Sequence, residues 1–135
     1  MIRRTLCQTI MSLDVTLYGP PELHTCRCQV CNDVHKATIR PALFEANITH
    51  NLGRMAEAAD IYLALWRPEE IGIKQARELI PLLRAGVARM KQNEEAMKKL
   101  NAENGWGTYR DFVPWVERYL EACIRFPDAE VEASR

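Results

Sequence analysis

Cys26, Cys28 and Cys31 fall within six residues, with His24 just before them and His35 just after. The spacing Cys-x-Cys-x2-Cys-x3-His lets one turn direct soft sulfur and nitrogen ligands at a single tetrahedral zinc ion. In Cys28-Gln29-Val30-Cys31-Asn32 the residue after the second cysteine must turn left-handed, and asparagine tolerates that conformation better than most. Cys26, Cys28 and Cys31 are therefore expected to ligate zinc, with His35 as the preferred fourth ligand and His24 or His50 as alternatives. No HExxH or HxE pattern places a general base beside an open coordination position, so the ion would be structural. The competing reading is a polar loop carrying three reduced thiols.

A second set of residues suits binding. Asn47-Ile48-Thr49-His50-Asn51-Leu52-Gly53 lies where an extended segment meets a helix, and a helix amino end offers free amides to an anion. His50 and Asn51 would then touch a phosphate or carboxylate; the alternative is that they only cap the helix. Trp66-Arg67-Pro68 and Asn104-Gly105-Trp106-Gly107-Thr108-Tyr109-Arg110 put aromatics and arginines at element boundaries beside permissive backbone. Such sets stack planar ligands or anchor interfaces, although tryptophans also close the edge of a core. His50, Asn51, Arg67, Trp106, Tyr109 and Arg110 are expected to line one cleft, with Trp106 stacking on a flat group.

Neither set amounts to catalytic machinery. The chain has no Walker loop, no GxGxxG, no GxSxG elbow and no oriented Cys-His pair. A hydrolase or transferase would have to draw its base from His50.

Composition narrows the class further. At 135 residues with 47% apolar content the chain can bury one core without staples. Eighteen basic residues balance eighteen acidic ones, so no overall field favours long duplex nucleic acid. Five cysteines, three of them crowded, fit reduced thiols in a cytosol better than a disulfide scaffold. No segment is apolar for long enough to span a bilayer.

The elements that must position these groups read as α+β. Ser12 to Tyr18 alternates as a half-buried strand with Leu13, Val15 and Leu17 on one face, and Gly19-Pro20-Pro21 stops it. A second extended segment covers Lys36 to Ile48, broken near Pro41. Apolar spacing predicts a helix from Asn51 to Trp66, a new start at Pro68 ended by Gly72, a helix from Ala76 to Met90 kinked at Pro81, and a short polar helix from Asn93 to Leu100. A last helix starts at Thr108 or Asp111 and carries Trp115, Tyr119, Leu120 and a buried, inert Cys123. Glu130 to Ser134 closes as a strand. The expected fold is a small antiparallel sheet of the first, second and last strands covered by three or four helices. A zinc-knuckle hairpin over about 19–40 protrudes from it, and residues 1–10 are a flexible extension ahead of one domain over 11–135.

The segments Ser12-Leu13-Asp14-Val15, Asn47-Ile48-Thr49-His50-Asn51-Leu52-Gly53-Arg54-Met55-Ala56, Leu65-Trp66-Arg67-Pro68-Glu69-Glu70 and Asn104-Gly105-Trp106-Gly107-Thr108-Tyr109 together resemble a family of small proteins of phages, prophages and some bacteria. The resemblance covers about residues 11–135. It implies no activity. It does imply a mobile-element setting, in which small single-domain proteins inhibit or decoy host machinery.

Residues and resemblance together suggest a non-catalytic accessory protein in the host cytoplasm, with counter-defence as one role. It would bind a small anionic or planar ligand or a host protein surface. The alternative is a zinc-knuckle adaptor for nucleic acid or protein working through Arg27, Lys36 and Arg40.

Overall fold

The alternation of Ser12–Tyr18 becomes the central strand β1 of a three-stranded antiparallel sheet ordered β4-β1-β5. The structure is a computed structural model that describes residues 12–135. The expected extension over residues 1–10, Cys7 and Met11 lie outside the described residues. β4 is Ala42–Thr49 and β5 is Glu130–Ser134. Because side chains alternate across a strand, register decides which residues share the core face. Leu13 opposes Ile48, Val15 lies between Ala46 and Ala133, and Leu17 between Phe44 and Val131. Leu13, Val15 and Leu17 are fully buried, and their cross-strand neighbours pack against the same core.

The sheet differs from expectation in one respect. The second extended segment is two strands, divided at Arg40-Pro41. Its first half, β3 (Val34–Ile39), pairs with β2 (Glu22–Arg27) in a separate two-stranded sheet, and only its second half joins β1. Proline lacks the N–H that a continuous ladder needs, so the chain changes partner there.

The helices α1 (Gly53–Ala58), α2 (Tyr62–Trp66), α3 (Ala76–Gln92), α4 (Glu94–Lys98) and α5 (Tyr109–Arg125) lie on the core face. The single helix expected from Asn51 to Trp66 is instead a 3-10 turn, His50–Leu52, followed by α1 and α2. Asp60 adopts φ 60°, while the amide of Ile61 reaches back to the carbonyl of Ala56 at 2.9 Å and ends α1. Apolar spacing survives the break because both short helices face one core. Helix α3 runs unbroken through Pro81. Thr108, not Asp111, caps α5: its hydroxyl accepts from the Asp111 amide at 3.3 Å and donates to the Asp111 carboxylate at 3.0 Å. Pro114 therefore falls past the first turn.

Helices α3 and α5 pack on one another, and Tyr119 stacks on Phe44 of β4 with ring centroids 5.8 Å apart. The start of α3 is tied to the entry of β5, because the amides of Ala76 and Val131 donate to Ala129 and Lys74 at 2.9 Å each. Glu78 closes the capping box there, and the amides of Gln75 and Lys74 hold its carboxyl below the usual range. Cys123 is fully buried, and burial pushes its thiol up to about 12. No helix among the described residues is long and apolar enough to cross a membrane.

Gly86 is where α3 meets the α1–α2 corner. A Cβ there would overlap Cγ2 of Ile61 and lie 3.2 Å from its Cδ1. Alanine gains about 1 kcal/mol of helix propensity over glycine, but overpacking a filled core costs about 1–3 kcal/mol. Gly86→Ala is expected to lower the urea midpoint; a rise would mean that the corner has room to yield.

Candidate functional site

Strands β1 and β4 would form an ordinary hairpin if the chain between them were short. Tyr18 pairs with Ala42, and the Gly19 amide donates to the Pro41 carbonyl at 2.8 Å. Residues 19–41 instead run out as an arm built from β2 and β3, and every residue of both strands is exposed.

The tip of the arm is folded by backbone and sulfur together. The Cys28 amide donates to the Asp33 carbonyl at 2.7 Å, and the Asn32 amide returns to the Cys28 carbonyl at 2.9 Å. Asn32 takes φ 64°, the left-handed turn its type suggests, and its carbonyl accepts from Arg27 Nη1 at 2.8 Å. The amides of Val30 and Cys31 both donate to Cys28 Sγ at 3.4 Å. Hydrogen bonds to sulfur favour the thiolate, so these amides, that of Cys31 most, lower the Cys28 thiol below its ordinary range.

Cys28, Cys31 and His35 thereby offer ligand atoms all within 4.8 Å of one another, with Cys31 Sγ 3.9 Å from His35 Nε2. Two sulfurs on one zinc stand about 3.8 Å apart at a Zn–S distance of about 2.3 Å. The three side chains are thus close enough to hold a metal ion. Cys26 is not part of this group. It sits on β2 opposite His35, which puts both side chains on the same face of the arm. The alternative histidines are engaged elsewhere, His24 beside Glu22 at 3.4 Å and His50 in the body.

The six residues expected to share a cleft are distributed. Asn51 and Trp106 line one concavity of about 590 Å³ with Ser12, Asn47, Asn104, Gly107 and Asp111. His50 and Asn51 line an adjoining one of about 620 Å³ with Arg54, Lys99 and Asn104. Arg67, Tyr109 and Arg110 line neither. Arg67 donates to Glu70 at 3.0 Å, the Tyr109 ring lies under Lys98, and Arg110 stands exposed beside Asp111. Arg54 and Lys99 were not singled out in the sequence. Helical charge pairs such as Glu94 and Lys98 read as a solvated face, and no spacing links positions 45 residues apart.

The tryptophans part company. Trp66 is buried in the core and donates its indole N–H to His50 Nδ1 at 2.7 Å. The indole is a donor only, so His50 accepts on Nδ1 and carries its proton on Nε2. That leaves neither ring nitrogen free as a base. Trp106 is 73% exposed on a braced loop: its amide donates to Asn104 Oδ1 and its carbonyl accepts from Asn51 Nδ2, both at 2.9 Å. Gly107 permits that brace with φ 116° and a backbone so close to Thr49 and Leu52 that a Cβ would crowd both.

No protein-family model, curated protein or solved structure matches the chain.

The knuckle has a chemical signature. At pH 7, metal-free native protein is expected to lose Cys28 to iodoacetamide several-fold faster than the same cysteine in urea, because only the folded turn aims two amides at its sulfur. Added zinc should suppress that labelling. Peptide mapping of the alkylated cysteines gives both rates, and equal rates would mean that the turn does not activate the thiol.

Proposed function

We propose that the protein is a non-catalytic adaptor that presents a zinc-stapled β-arm to a protein partner. The observation that carries this reading is the arm itself, twelve strand residues exposed on both faces and joined to the body at Gly19 and Pro41. A two-stranded hairpin is marginal in water by itself. Exposed cross-strand pairs contribute about 0.2–1 kcal/mol each, whereas zinc in a small Cys/His fold contributes apparent values of about 10–16 kcal/mol. Metal would therefore fasten an arm whose backbone turn already forms without it. Thiolate and imidazole ligands at a preformed knuckle favour zinc, and Cys26, on the face of His35, is the natural fourth ligand once the ion draws the side chains together.

The chemistry of the arm suits a protein better than nucleic acid. Leu23 is 64% exposed and Val30 96%, with Val34 and Ile39 also open to solvent. Leu23 and Val34 share one face of the arm, Ile39 lies on the other and Val30 stands at the tip, and aliphatic side chains left open to water on a projecting element suit a contact surface. Arg27 and Lys36 are offset by Glu22 and Asp33, and Arg40 is held by Glu130 and Glu132. The resemblance to phage and prophage proteins would place the partner in a host cell, where covering a host or defence surface is a role for a small accessory protein.

Two measurements test the reading. Protein purified without added metal is expected to hold about one zinc per chain. Chelation should speed hydrogen exchange along β2 and β3 while shifting the melting temperature of the body by no more than about 5 °C. Less than a tenth of a zinc, with freely titrating thiols, removes the staple. The second measurement replaces residues 20–40 by Asn-Gly, which the Tyr18–Ala42 pairing can accommodate as a tight turn. A body that still folds but no longer captures the protein that the zinc-loaded chain captures supports the arm as the contact element. Undiminished capture by the armless chain overturns it.

A further inference from the structure

Two adjoining concavities on the body differ in chemistry, and they meet at Asn51 and Asn104, which line both. The first holds the exposed indole of Trp106 and is lined by no Lys, Arg or His. The second is lined by Arg54 and Lys99, which form no ion pair among the described residues and outnumber the carboxylate of Glu103 beside them. The Asp111 carboxylate of the first concavity is engaged by Thr108 and stands beside Arg110. A flat apolar surface left open to water next to two cations without ion-pair partners among the described residues calls for a ligand with a planar part and an anionic part.

We propose that these concavities together form a site for a nucleoside phosphate. The base stacks on Trp106, where base–aromatic contact is sequence-tolerant and strong. Asn51 and Asn104 each use one amide atom to brace the Trp106 loop. This leaves the Asn51 carbonyl as an acceptor and the Asn104 amino group as a donor, the pairing a base edge presents in reverse. Arg54 and Lys99 take the phosphate, with His50 Nε2–H beside them. A saccharide would use Trp106 and leave the cations unexplained. A bare anion would use the cations and leave Trp106 unexplained. Each concavity falls within the volume range of small-molecule sites, about 300–1,000 Å³. The site lies on the body and is independent of the arm.

A terminal nucleotide of a single strand offers the same chemistry as a free nucleotide, but the chain has no net charge with which to gather a polyanion, so the free form is assigned. The test is an NMR shift titration of the full chain with adenosine 5′-monophosphate, adenosine, inorganic phosphate and a short oligoadenylate, repeated on Trp106→Ala and Arg54→Gln/Lys99→Gln. All three side chains are exposed, so the variants are expected to melt like the parent. The monophosphate should bind saturably and about tenfold more tightly than adenosine. Trp106→Ala should weaken both by about tenfold. Arg54→Gln/Lys99→Gln should bring the monophosphate down to the level of adenosine and leave adenosine unchanged. Absence of saturable shifts, or a monophosphate affinity unaffected by either variant, overturns the site. Binding of oligoadenylate more than about tenfold tighter than the monophosphate overturns the free-nucleotide assignment.

Discussion

Strand β1 is hydrogen-bonded along both edges while Leu13, Val15 and Leu17 are wholly removed from water, and the rest of the structure depends on that arrangement. Burying an aliphatic side chain contributes about 1.5–3 kcal/mol, so the trio is comparable with the net stability of an ordinary domain, about 5–15 kcal/mol. Register against β4 and β5 then brings Phe44, Ala46, Ile48, Val131 and Ala133 to the same face. On that face α5 lies against β4 and α2 meets β5, while α3 packs on α5. The opposite face is polar, with Asn47 donating to Asp14 at 2.6 Å and Arg40 over the Tyr18 ring.

The same strand explains how the arm can exist at all. β1 and β4 are locked by their own ladder and by the Gly19–Pro41 bond, so the insertion between them does not need to support the core. Nor does the core support it. Loop-closure cost grows only slowly with length, which makes a long excursion tolerable to the body. The excursion itself packs no strand residue into the core, so its order rests on its own ladder and backbone turn. Cys28, Cys31 and His35 stand where a tether at the tip restrains the largest part of the arm.

On the body, the Trp106 loop shows a different kind of order. Side-chain amides from Asn51 and Asn104 hold its backbone, Asn101 Oδ1 accepts from the Tyr109 amide at 2.7 Å, and the Ala102 amide donates to the Gly107 carbonyl at 3.0 Å. A loop braced this way keeps a large aromatic exposed at little further entropy cost on binding. The His50–Trp66 bond does the opposite. It commits a histidine at the surface to a tryptophan in the core, which makes His50 a structural strut as well as a lining residue.

The sequence by itself determined whatever depends on neighbours within one turn or one strand. The alternation from Ser12 to Tyr18, the left-handed turn at Asn32, the apolar stripe that buries Cys123 and the closing strand were all legible, because local sterics and period-two or period-3.6 patterning act over a few residues. Only the tertiary structure decided which strand joins which sheet, since an extended segment carries no label for its partner and Arg40-Pro41 lets one segment serve two sheets. It also decided that the stretch from His50 to Trp66 is three short turns, because periodicity reports the face that meets the core and not the continuity of the helix. The fates of Trp66 and Trp106, one buried and one exposed, were not distinguishable from their neighbours. Nor was the meeting of Arg54, Lys99 and Asn104 beside Asn51. Polar surface residues obey no period, so what they face is set by how the packed core folds the chain around it.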